Sequence, residues 1–248
     1  MIHIQRTYPA PATLTSDRAK KARDELEQLV QAGQTQLTIN PSIYKATDVK
    51  QVLIDMQDKK CCFCESKITH IAYGDVEHFR PKKAVREDDG RLKRPGYYWL
   101  AYTWENLLLS CEICNRRHKR NKFPIAGKRA KRKETLDQER PLFIDPAGPD
   151  DPEALITFTD LGRAVAVDGD KRGETTIKEL DLNRDDLEER RQERLLDFRA
   201  ILILKQSAER WQDEDDLAYA TQQLERHTRA DAEYAGLARS FLKRQREI

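Results

Sequence analysis

The chain has 248 residues, of which 38% are hydrophobic and 35% are charged, and this composition predicts a modest apolar core beneath a heavily charged surface. No apolar run approaches the roughly 18 residues that a membrane-spanning helix needs. The N-terminal segment also holds no apolar stretch that could serve as a signal peptide. We therefore expect a cytoplasmic protein with no membrane partner.

The charge is distributed unevenly, although the formal net charge is only +2. Residues 78–133 carry 17 basic and 5 acidic side chains, whereas residues 134–248 carry 18 basic and 28 acidic ones. A segment this basic favours a polyanionic ligand such as nucleic acid, because neutralising phosphates releases counterions. A solvated lysine-rich surface would have the same composition, so charge alone leaves both interpretations open.

Two helices are predicted near the N-terminus. The first covers residues 16–31, with Ser16 or Asp17 as its cap and an apolar stripe along one face. The second covers residues 47–59, with Thr47 as its N-cap. Both patterns repeat apolar residues at helical spacing, so each helix is expected to bury one face.

The C-terminal half begins with short strands and then becomes helical. Residues 154–159 and 163–167 flank a turn-forming Asp-Leu-Gly sequence and predict a β-hairpin. Asn183 or Asp185 is expected to cap a long helix that reaches about residue 206. A further pair of helices is predicted over about residues 213–246.

Four of the five cysteines form two C-x-x-C pairs, which are Cys61, Cys64, Cys111 and Cys114. Two residues between cysteines allow both sulfurs to face one tetrahedral ion, and two such knuckles close a structural zinc site with no open position. The alternatives are a redox pair in each motif or buried unpaired thiols. Cys62 is the spare cysteine and is expected to be packed or inert.

Two motifs lie between and around these knuckles. The first is Asp75-Val76-Glu77-His78-Phe79-Arg80-Pro81, and the second is N-L-x-x-x-C-x-x-C-N, which begins at Asn106 and ends at Asn115. Together with the cysteine pairs, they resemble the HNH, or ββα-metal, endonuclease family over about 65 residues. If Asp75 and Glu77 lie on a strand, they share one of its faces.

The resemblance implies roles for particular residues in phosphodiester hydrolysis by a single divalent metal. His78 would be the general base, since a neutral imidazole can take a proton from water near pH 7. Glu77 and Asn115 would supply oxygen ligands to a catalytic Mg²⁺ or Mn²⁺. Asn106 would hold the histidine in orientation. The last histidine of the family motif is replaced by Asn115, which makes this an H-N-N variant, and His118 is a further candidate metal ligand or a surface residue.

Basic residues around these motifs are expected to contact nucleic-acid phosphates, which position a substrate without reading its sequence. The candidates are Arg80, Lys82, Lys83, Arg116, Arg117 and Lys119. Several aromatic residues between the motifs could stack on bases or pack around the zinc site. We expect DNA rather than RNA as the substrate, although no residue decides between them.

More narrowly, the chain is similar to the HNH (PtuB-like) nucleases of Septu-type and retron-associated anti-phage defence systems. The supporting features include Arg6-x-x-Pro9-x-Pro11 and Thr176-Ile177-x-x-Leu180-x-Leu182-Asn183. This resemblance implies an ABC-type (PtuA-like) ATPase partner, since this chain has no phosphate-binding G-x-x-x-x-G-K motif of its own.

The predicted fold class is α+β and mainly helical, with a zinc-stapled ββα-metal core between N-terminal helices and a C-terminal helical region. The predicted segments are residues 1–59 (helical), 60–133 (nuclease core with the four cysteines), 134–174 (strands and hairpin) and 175–248 (helical, with possible partner docking). The alternative function is a non-catalytic zinc-binding module that recognises nucleic acid or protein. That alternative leaves the combination of Glu77, His78 and the two asparagines unexplained.

Overall fold

The computed structural model describes residues 1–87 and 89–246, and its α-helices lie towards the two ends of the chain. The N-terminal helices are α1 (Ala12–Thr15), α2 (Asp17–Gln31), α3 (Pro41–Tyr44) and α4 (Thr47–Met56). The C-terminal helices are α5 (Lys171–Glu179), α6 (Asp185–Trp211), α7 (Glu214–Thr228) and α8 (Ala235–Arg246). Residues 247 and 248 of the predicted C-terminal region lie outside the described residues. Within those described, no helix combines the length and the apolar character needed to cross a membrane.

Small antiparallel sheets fill the middle of the chain, and each has two strands. The pairs are β1 (Asp75–His78) with β4 (Leu107–Ser110), β2 (Val85–Arg86) with β3 (Leu92–Lys93), β5 (Ile125–Ala126) with β6 (Arg140–Pro141), and β7 (Ile156–Phe158) with β8 (Ala164–Ala166). A seven-residue π-helix, Ile113–Lys119, follows β4. Five 3₁₀ turns complete the described elements, at Tyr98–Leu100, Trp104–Asn106, Lys133–Gln138, Pro152–Ala154 and Val167–Gly169. The fold is therefore a mixture of helices and small sheets, as the sequence predicted.

Several predicted elements are confirmed. The first long helix begins after Ser16, whose hydroxyl accepts a hydrogen bond from the backbone N–H of Ala19, so Ser16 is the cap. The predicted hairpin is the β7–β8 pair, which aligns Phe158 with Ala164. The last two helices are separate, and Asp213 caps the first of them through the N–H of Asp216.

Two predicted helix boundaries are wrong. Thr47 is the first residue of α4 and does not cap it, and the helix ends at Met56 because Asp58 and Lys59 adopt positive φ angles that break it. Asn183 does not cap α6, because its side-chain amide hydrogen-bonds with both backbone groups of Ala164 in β8. That contact fastens the start of α6 to the hairpin, and α6 then continues to Trp211.

One hydrophobic core receives side chains from the N-terminal helices, the central strands and the C-terminal helices α6 and α8. It contains Leu26 of α2, Leu53 of α4, the three leucines of β4, and Phe198 of α6. Polar contacts also cross between the ends of the chain: the ammonium of Lys60 donates to the carbonyls of Ala230 and Ala232. The ranges predicted as separate segments therefore share one core.

Candidate functional site

The central element is the β1–β4 pair, which positions two clusters of functional side chains. Antiparallel pairing sets His78 opposite Leu107 and Asp75 opposite Ser110. The leucines of β4 are fully buried, which fixes the register of the pair. Immediately after β4 the chain turns through Cys111 into the π-helix, so one end of this unit carries the cysteines and the other carries His78.

The four predicted zinc-binding cysteines converge. The sulfurs of Cys61, Cys64, Cys111 and Cys114 all lie within 4.8 Å of one another. The Sγ atoms of Cys64 and Cys111 are 3.9 Å apart, which is close to the edge of about 3.8 Å expected for a tetrahedron with Zn–S bonds near 2.3 Å. The backbone N–H of Cys114 donates to the sulfur of Cys111 at 3.3 Å. Four thiols with this geometry suit a structural zinc ion.

Cys62 does not belong to this cluster, as predicted. It is buried, and burial raises the pKa of its thiol well above the ordinary value. A thiol in this state remains neutral and packs as a small apolar side chain.

A cation that no sequence motif indicates lies against the cysteine cluster. The guanidinium of Arg184, at the start of α6, lies 3.9 Å from the sulfur of Cys114. Burial opposes its charge, but the neighbouring cysteine sulfurs hold the pKa of Arg184 above its ordinary value. Arg184 is 70 residues from Cys114 in sequence, and no short motif connects them.

His78 is buried at the end of β1, and both of its ring nitrogens have partners. Nε2 lies 2.9 Å from the backbone oxygen of Ala101, and Nδ1 lies 3.0 Å from the ammonium of Lys82. Because a carbonyl can only accept, Nε2 carries the proton, and Nδ1 is the unprotonated nitrogen that accepts from Lys82. Burial and the nearby Lys82 lower the pKa of His78 well below its usual value, so the ring is neutral at pH 7.

Asn106 holds the chain that follows His78. Its Oδ1 accepts from the backbone N–H of Arg80 at 2.8 Å, and its Nδ2 donates to the backbone oxygens of Arg80 and Leu100. Leu100 precedes Ala101, whose backbone oxygen accepts the hydrogen bond from Nε2–H of His78. The side chain of Asn106 therefore connects the two backbone segments that determine the orientation of His78.

The acidic residues of β1 both face the π-helix. Asp75 accepts from the guanidinium of Arg116 at 2.6 and 2.7 Å and from the amide of Asn115 at 3.1 Å. Glu77 is buried and lies 2.5 Å from the ammonium of Lys119. Burial raises the pKa of Glu77 despite this ion pair. In this conformation Glu77 contacts Lys119, and Asn115 contacts Asp75. Both candidate metal ligands are therefore engaged with other side chains.

A cleft of about 260 Å³ opens beside His78. The described residues that line it are Val76, Glu77, His78, Pro81, Lys82, Lys83, Asn115, Arg116, Arg120 and Asn121. It therefore brings together three of the four predicted catalytic residues. Asn106, the fourth, does not line the cleft and bonds to the backbone of Arg80 and Leu100. Arg120 belongs to the basic run that follows the second cysteine pair, whereas Asn121 is a cleft residue that no motif indicated, because it follows the π-helix.

The predicted phosphate-binding residues divide into two groups. Lys83 and Arg116 are exposed at the cleft, and Arg117 is exposed on the π-helix. Lys119, by contrast, is fully buried and binds Glu77 and the backbone oxygen of His78. Its predicted phosphate contact is corrected to a structural ion pair.

Two more basic side chains near His78 are engaged within the protein. Arg80 pairs with the buried carboxylate of Glu139 at 2.9 Å and lies over Phe123. Lys82 contacts His78, and burial lowers its pKa to about 8. Arg80 therefore has a structural partner, whereas Lys82 remains at the edge of the cleft.

His118 points away from the cleft. Its Nδ1 lies 3.8 Å from a carboxylate oxygen of Asp181, which immediately follows α5 and its C-cap. The residue does not line the space beside His78. Of the two interpretations left open for His118, metal ligand or surface residue, its position outside the cleft of Glu77 and Asn115 favours the second.

Comparison with known proteins identifies homologues. Septu protein PtuB of Bacillus mycoides (strain KBAB4) is 42% identical over 196 residues, which cover 77% of this chain and 66% of that protein. Septu protein PtuB of Bacillus thuringiensis is 27% identical over 187 residues, which cover 74% of this chain and 55% of that protein.

A third match is to a differently named protein. A stretch of 149 residues, 58% of this chain, is 31% identical to one fifth (20%) of Septu protein PtuA of Bacillus mycoides (strain KBAB4). No family model matches the chain, and no solved structure is significantly similar to it. The chain is thus similar to Septu protein PtuB over about three quarters of its own length and spans 55–66% of the length of these two PtuB proteins.

Proposed function

We propose that this chain is the PtuB-like component of a Septu-type anti-phage defence system and that it is a metal-dependent endonuclease. Its similarity to Septu protein PtuB supports the first part. The second part rests on one observation: a neutral histidine, His78, presents an unprotonated nitrogen beside a cleft edged with cationic side chains. The proposed reaction is hydrolysis of a phosphodiester bond, with DNA favoured over RNA.

In this proposal His78 removes a proton from the attacking water. Anchoring Nε2–H on Ala101 fixes the tautomer, so Nδ1 is the basic atom. In the present conformation Lys82 donates to Nδ1, and a phosphate in the cleft would attract the Lys82 ammonium and free that nitrogen. A positioned general base of this kind contributes typically 10²–10⁴-fold to the rate.

Glu77 and Asn115 are proposed to hold a catalytic Mg²⁺ or Mn²⁺. A carboxylate and an amide oxygen are suitable ligands for a hard divalent cation. The amide nitrogen of Asn115 already donates to Asp75, which leaves its oxygen as the available ligand atom. When bound, such an ion neutralises charge on the phosphate and assists the leaving oxygen. Glu77 would exchange its contact with Lys119 for the ion.

The basic residues of the cleft, Lys82, Lys83, Arg116 and Arg120, are proposed to bind the phosphates that flank the scissile bond. Such contacts supply affinity and orientation without reading bases. The competing proposal is a zinc-binding module without catalysis. It is favoured by the ion pair of Glu77 with Lys119, which balances the charge of the carboxylate without a metal, although Glu77 Oε1 forms no hydrogen bond.

An ABC-type ATPase is the proposed partner, with the C-terminal region as its docking surface. Leu196, Ile203 and Trp211 are exposed large apolar residues along α6, which fits a helix face that another protein covers. Charged substitutions at Leu196 and Ile203 should abolish co-purification with the ATPase. Deleting residues 175–248 would be a poor test, because Phe198 and Arg184 support the core and the cysteine cluster.

The nuclease proposal is tested by incubating the zinc-loaded protein with plasmid DNA and with RNA, in Mg²⁺ or Mn²⁺, with and without the ATPase. His78→Ala should reduce cleavage at least about 100-fold. His70→Ala is the matched control, since His70 is exposed and does not line the cleft, and it should cleave normally. Equal cleavage by wild type and His78→Ala would reject the assignment. Nucleic-acid binding without cleavage in every condition would favour the non-catalytic module.

A further inference from the structure

Five aromatic residues lie between the two motifs, and the structure separates one of them from the rest. They are Tyr97, Tyr98, Trp99, Tyr102 and Trp104. All are buried except Trp99, which is only partly buried. The hydroxyls of Tyr97 and Tyr98 donate to Glu139 and Glu27, and the hydroxyl of Tyr102 accepts from the backbone of Asn40. The tyrosines therefore have structural partners.

Trp99 lines a second cavity of about 270 Å³. This volume is several times the roughly 30 Å³ that one water molecule occupies in the liquid, so a planar ring can enter. Val30, Val85 and Pro95 supply apolar lining beside the indole. The Trp99 ring is itself packed edge-on against Tyr98, with centroids 5.2 Å apart and an interplanar angle of 89°. The ring is thus supported by the protein while it lines an open space.

The same cavity carries positive charge. Lys93, Arg94, Arg129 and Lys131 also line it. Lys93, Arg94 and Lys131 are exposed, whereas Arg129 pairs with Glu87 and stacks over Tyr97. An apolar aromatic slot beside exposed cations fits a ligand with a flat ring attached to a phosphate, which describes a nucleotide of a nucleic-acid strand.

The cavity adjoins the cleft of His78 through one backbone segment. Pro81, Lys82 and Lys83 line the cleft, and Val85, two residues further, lines the cavity. The backbone N–H groups of Gly96 and Tyr97, which line the cavity, donate to the oxygens of Lys83 and Pro81. This connection is tight at Gly96, where an added Cβ would lie 2.4 Å from the oxygen of Pro81. The two spaces therefore both border the backbone segment of residues 81–85.

We propose that the Trp99 cavity is a subsite for an unpaired nucleobase of the strand whose phosphate occupies the cleft. The inference rests on the proposed function, since it assigns a nucleic-acid strand to the cleft. A base inside a duplex is stacked on both faces and paired along one edge, so a base can enter this cavity only from a single strand or after leaving the helix. The subsite therefore selects substrates with unpaired nucleotides next to the cleaved bond.

The test measures binding by fluorescence anisotropy, using the zinc-loaded His78→Ala chain so that the probe stays intact. The probes are a short labelled single-stranded DNA, the same sequence as a duplex, and single strands with one abasic site moved along the sequence. We expect the single strand to bind more tightly than the duplex. One abasic position should weaken binding at least about fivefold, because stacking of a base on an aromatic ring contributes that much or more.

The decisive comparison adds Trp99→Leu to the His78→Ala chain. Trp99→Leu should weaken binding of the intact single strand about as much as that abasic site does, and the two changes together should cost no more than either alone. Trp99→Phe keeps an aromatic ring and should retain most of the affinity. Tyr73→Leu removes an aromatic ring that is 89% exposed and lines neither the cleft nor the cavity, and it should change nothing.

Two outcomes overturn the subsite: Trp99→Leu binds the intact strand like its parent, or abasic penalties are the same with and without Trp99. If Trp99→Leu loses its zinc or its fold, Trp99→Phe and the abasic series on the unaltered Trp99 chain decide the question, and a uniform abasic series overturns it. Failure of the proposed function looks different. The chain with Trp99 intact then binds none of these probes, or, with His78 restored, it binds them and cleaves none in Mg²⁺ or Mn²⁺.

Discussion

The cysteine cluster and the His78 cleft lie at opposite ends of the same β1–β4 unit, and they are assembled in different ways. Each half of the cysteine cluster comes from one C-x-x-C turn, and all four sulfurs point to a common centre. The cleft takes its polar groups from β1, the segment after it and the π-helix, and several are paired with one another. Asp75 binds Arg116, Glu77 binds Lys119, and His78 binds Lys82.

This difference shows which site can be recognised from spacing alone. Two cysteines with two residues between them can turn both thiols toward one ion, so their ability to bind metal depends little on the rest of the fold. The cleft residues are close only because two strands and a helix pack together. Their mutual ion pairs also mean that ligand binding must rearrange existing contacts, whereas a zinc ion meets donors that already converge.

The largest expected effect comes from breaking the cysteine cluster. Cys114→Ser should abolish zinc binding and the cooperative thermal unfolding transition, because the energy of metal binding at such a site is also folding energy. Zinc content by atomic absorption and a thermal melt followed by circular dichroism measure both. Cys62→Ser is the control and should keep one zinc ion per chain and a cooperative melt. Loss of zinc in that variant would show that Cys62 is a ligand.

The second effect probes the closed network of the cleft. Lys119→Met leaves Glu77 and the backbone oxygen of His78 without their buried partner, and it should cost about 3–5 kcal/mol in the free energy of unfolding. Urea denaturation measures this loss, and adding Glu77→Gln should restore part of it. Lys122→Met is the matched control, because its ion pair with Glu179 is partly exposed and worth at most about 1 kcal/mol. Equal costs at the two lysines would contradict a structural role for Lys119.

The third prediction concerns Arg184, whose guanidinium lies against the sulfur of Cys114. Arg184→Gln should speed the transfer of zinc to a colorimetric chelator by about tenfold, since residues that contact metal ligands typically change metal affinity by 10–100-fold. The initial zinc content should remain one ion per chain. Arg190→Gln, on an exposed part of the same helix, should release zinc at the wild-type rate. An unchanged rate in Arg184→Gln would mean that the cluster does not depend on this contact.

The smallest effect is a pH dependence of stability due to His78. Its pKa is lowered well below 6.5 in the folded chain, first by burial and then by Lys82, so the unfolded chain binds a proton more readily. The contribution of neutral His78 is therefore complete above about pH 6.5 and is lost as the pH falls toward the lowered pKa of the folded state. We expect the Tm to fall between pH 7 and pH 5, and to fall less in His78→Gln. Parallel curves for the two proteins would show that another group causes the decline.

Much of the secondary structure follows from local sequence, and the exceptions have local causes. The Ser16 cap and the β7–β8 hairpin are predictable because hydroxyl capping and turn residues act within a few positions. The failure at Asn183 arises because Ala164, 19 residues away, offered its amide two hydrogen bonds. Asn183 bonds to the backbone of Ala164 instead of capping α6. A short stretch of sequence around Asn183 does not contain Ala164, so it cannot reveal this contact.

The sequence by itself determined the four thiols that could hold a metal, the pair of Glu77 with His78, and the two asparagines nine positions apart. Only the tertiary structure decided that Asn106 bonds to the backbone of Arg80, that Lys119 is buried against Glu77, and that His118 contacts Asp181. The physical reason is the separation of the interacting residues along the chain. Within one C-x-x-C motif, covalent geometry over three residues sets the spacing of the two thiols. Burial and charge pairing depend instead on segments that approach only when β1, β4, the π-helix and α6 share one core.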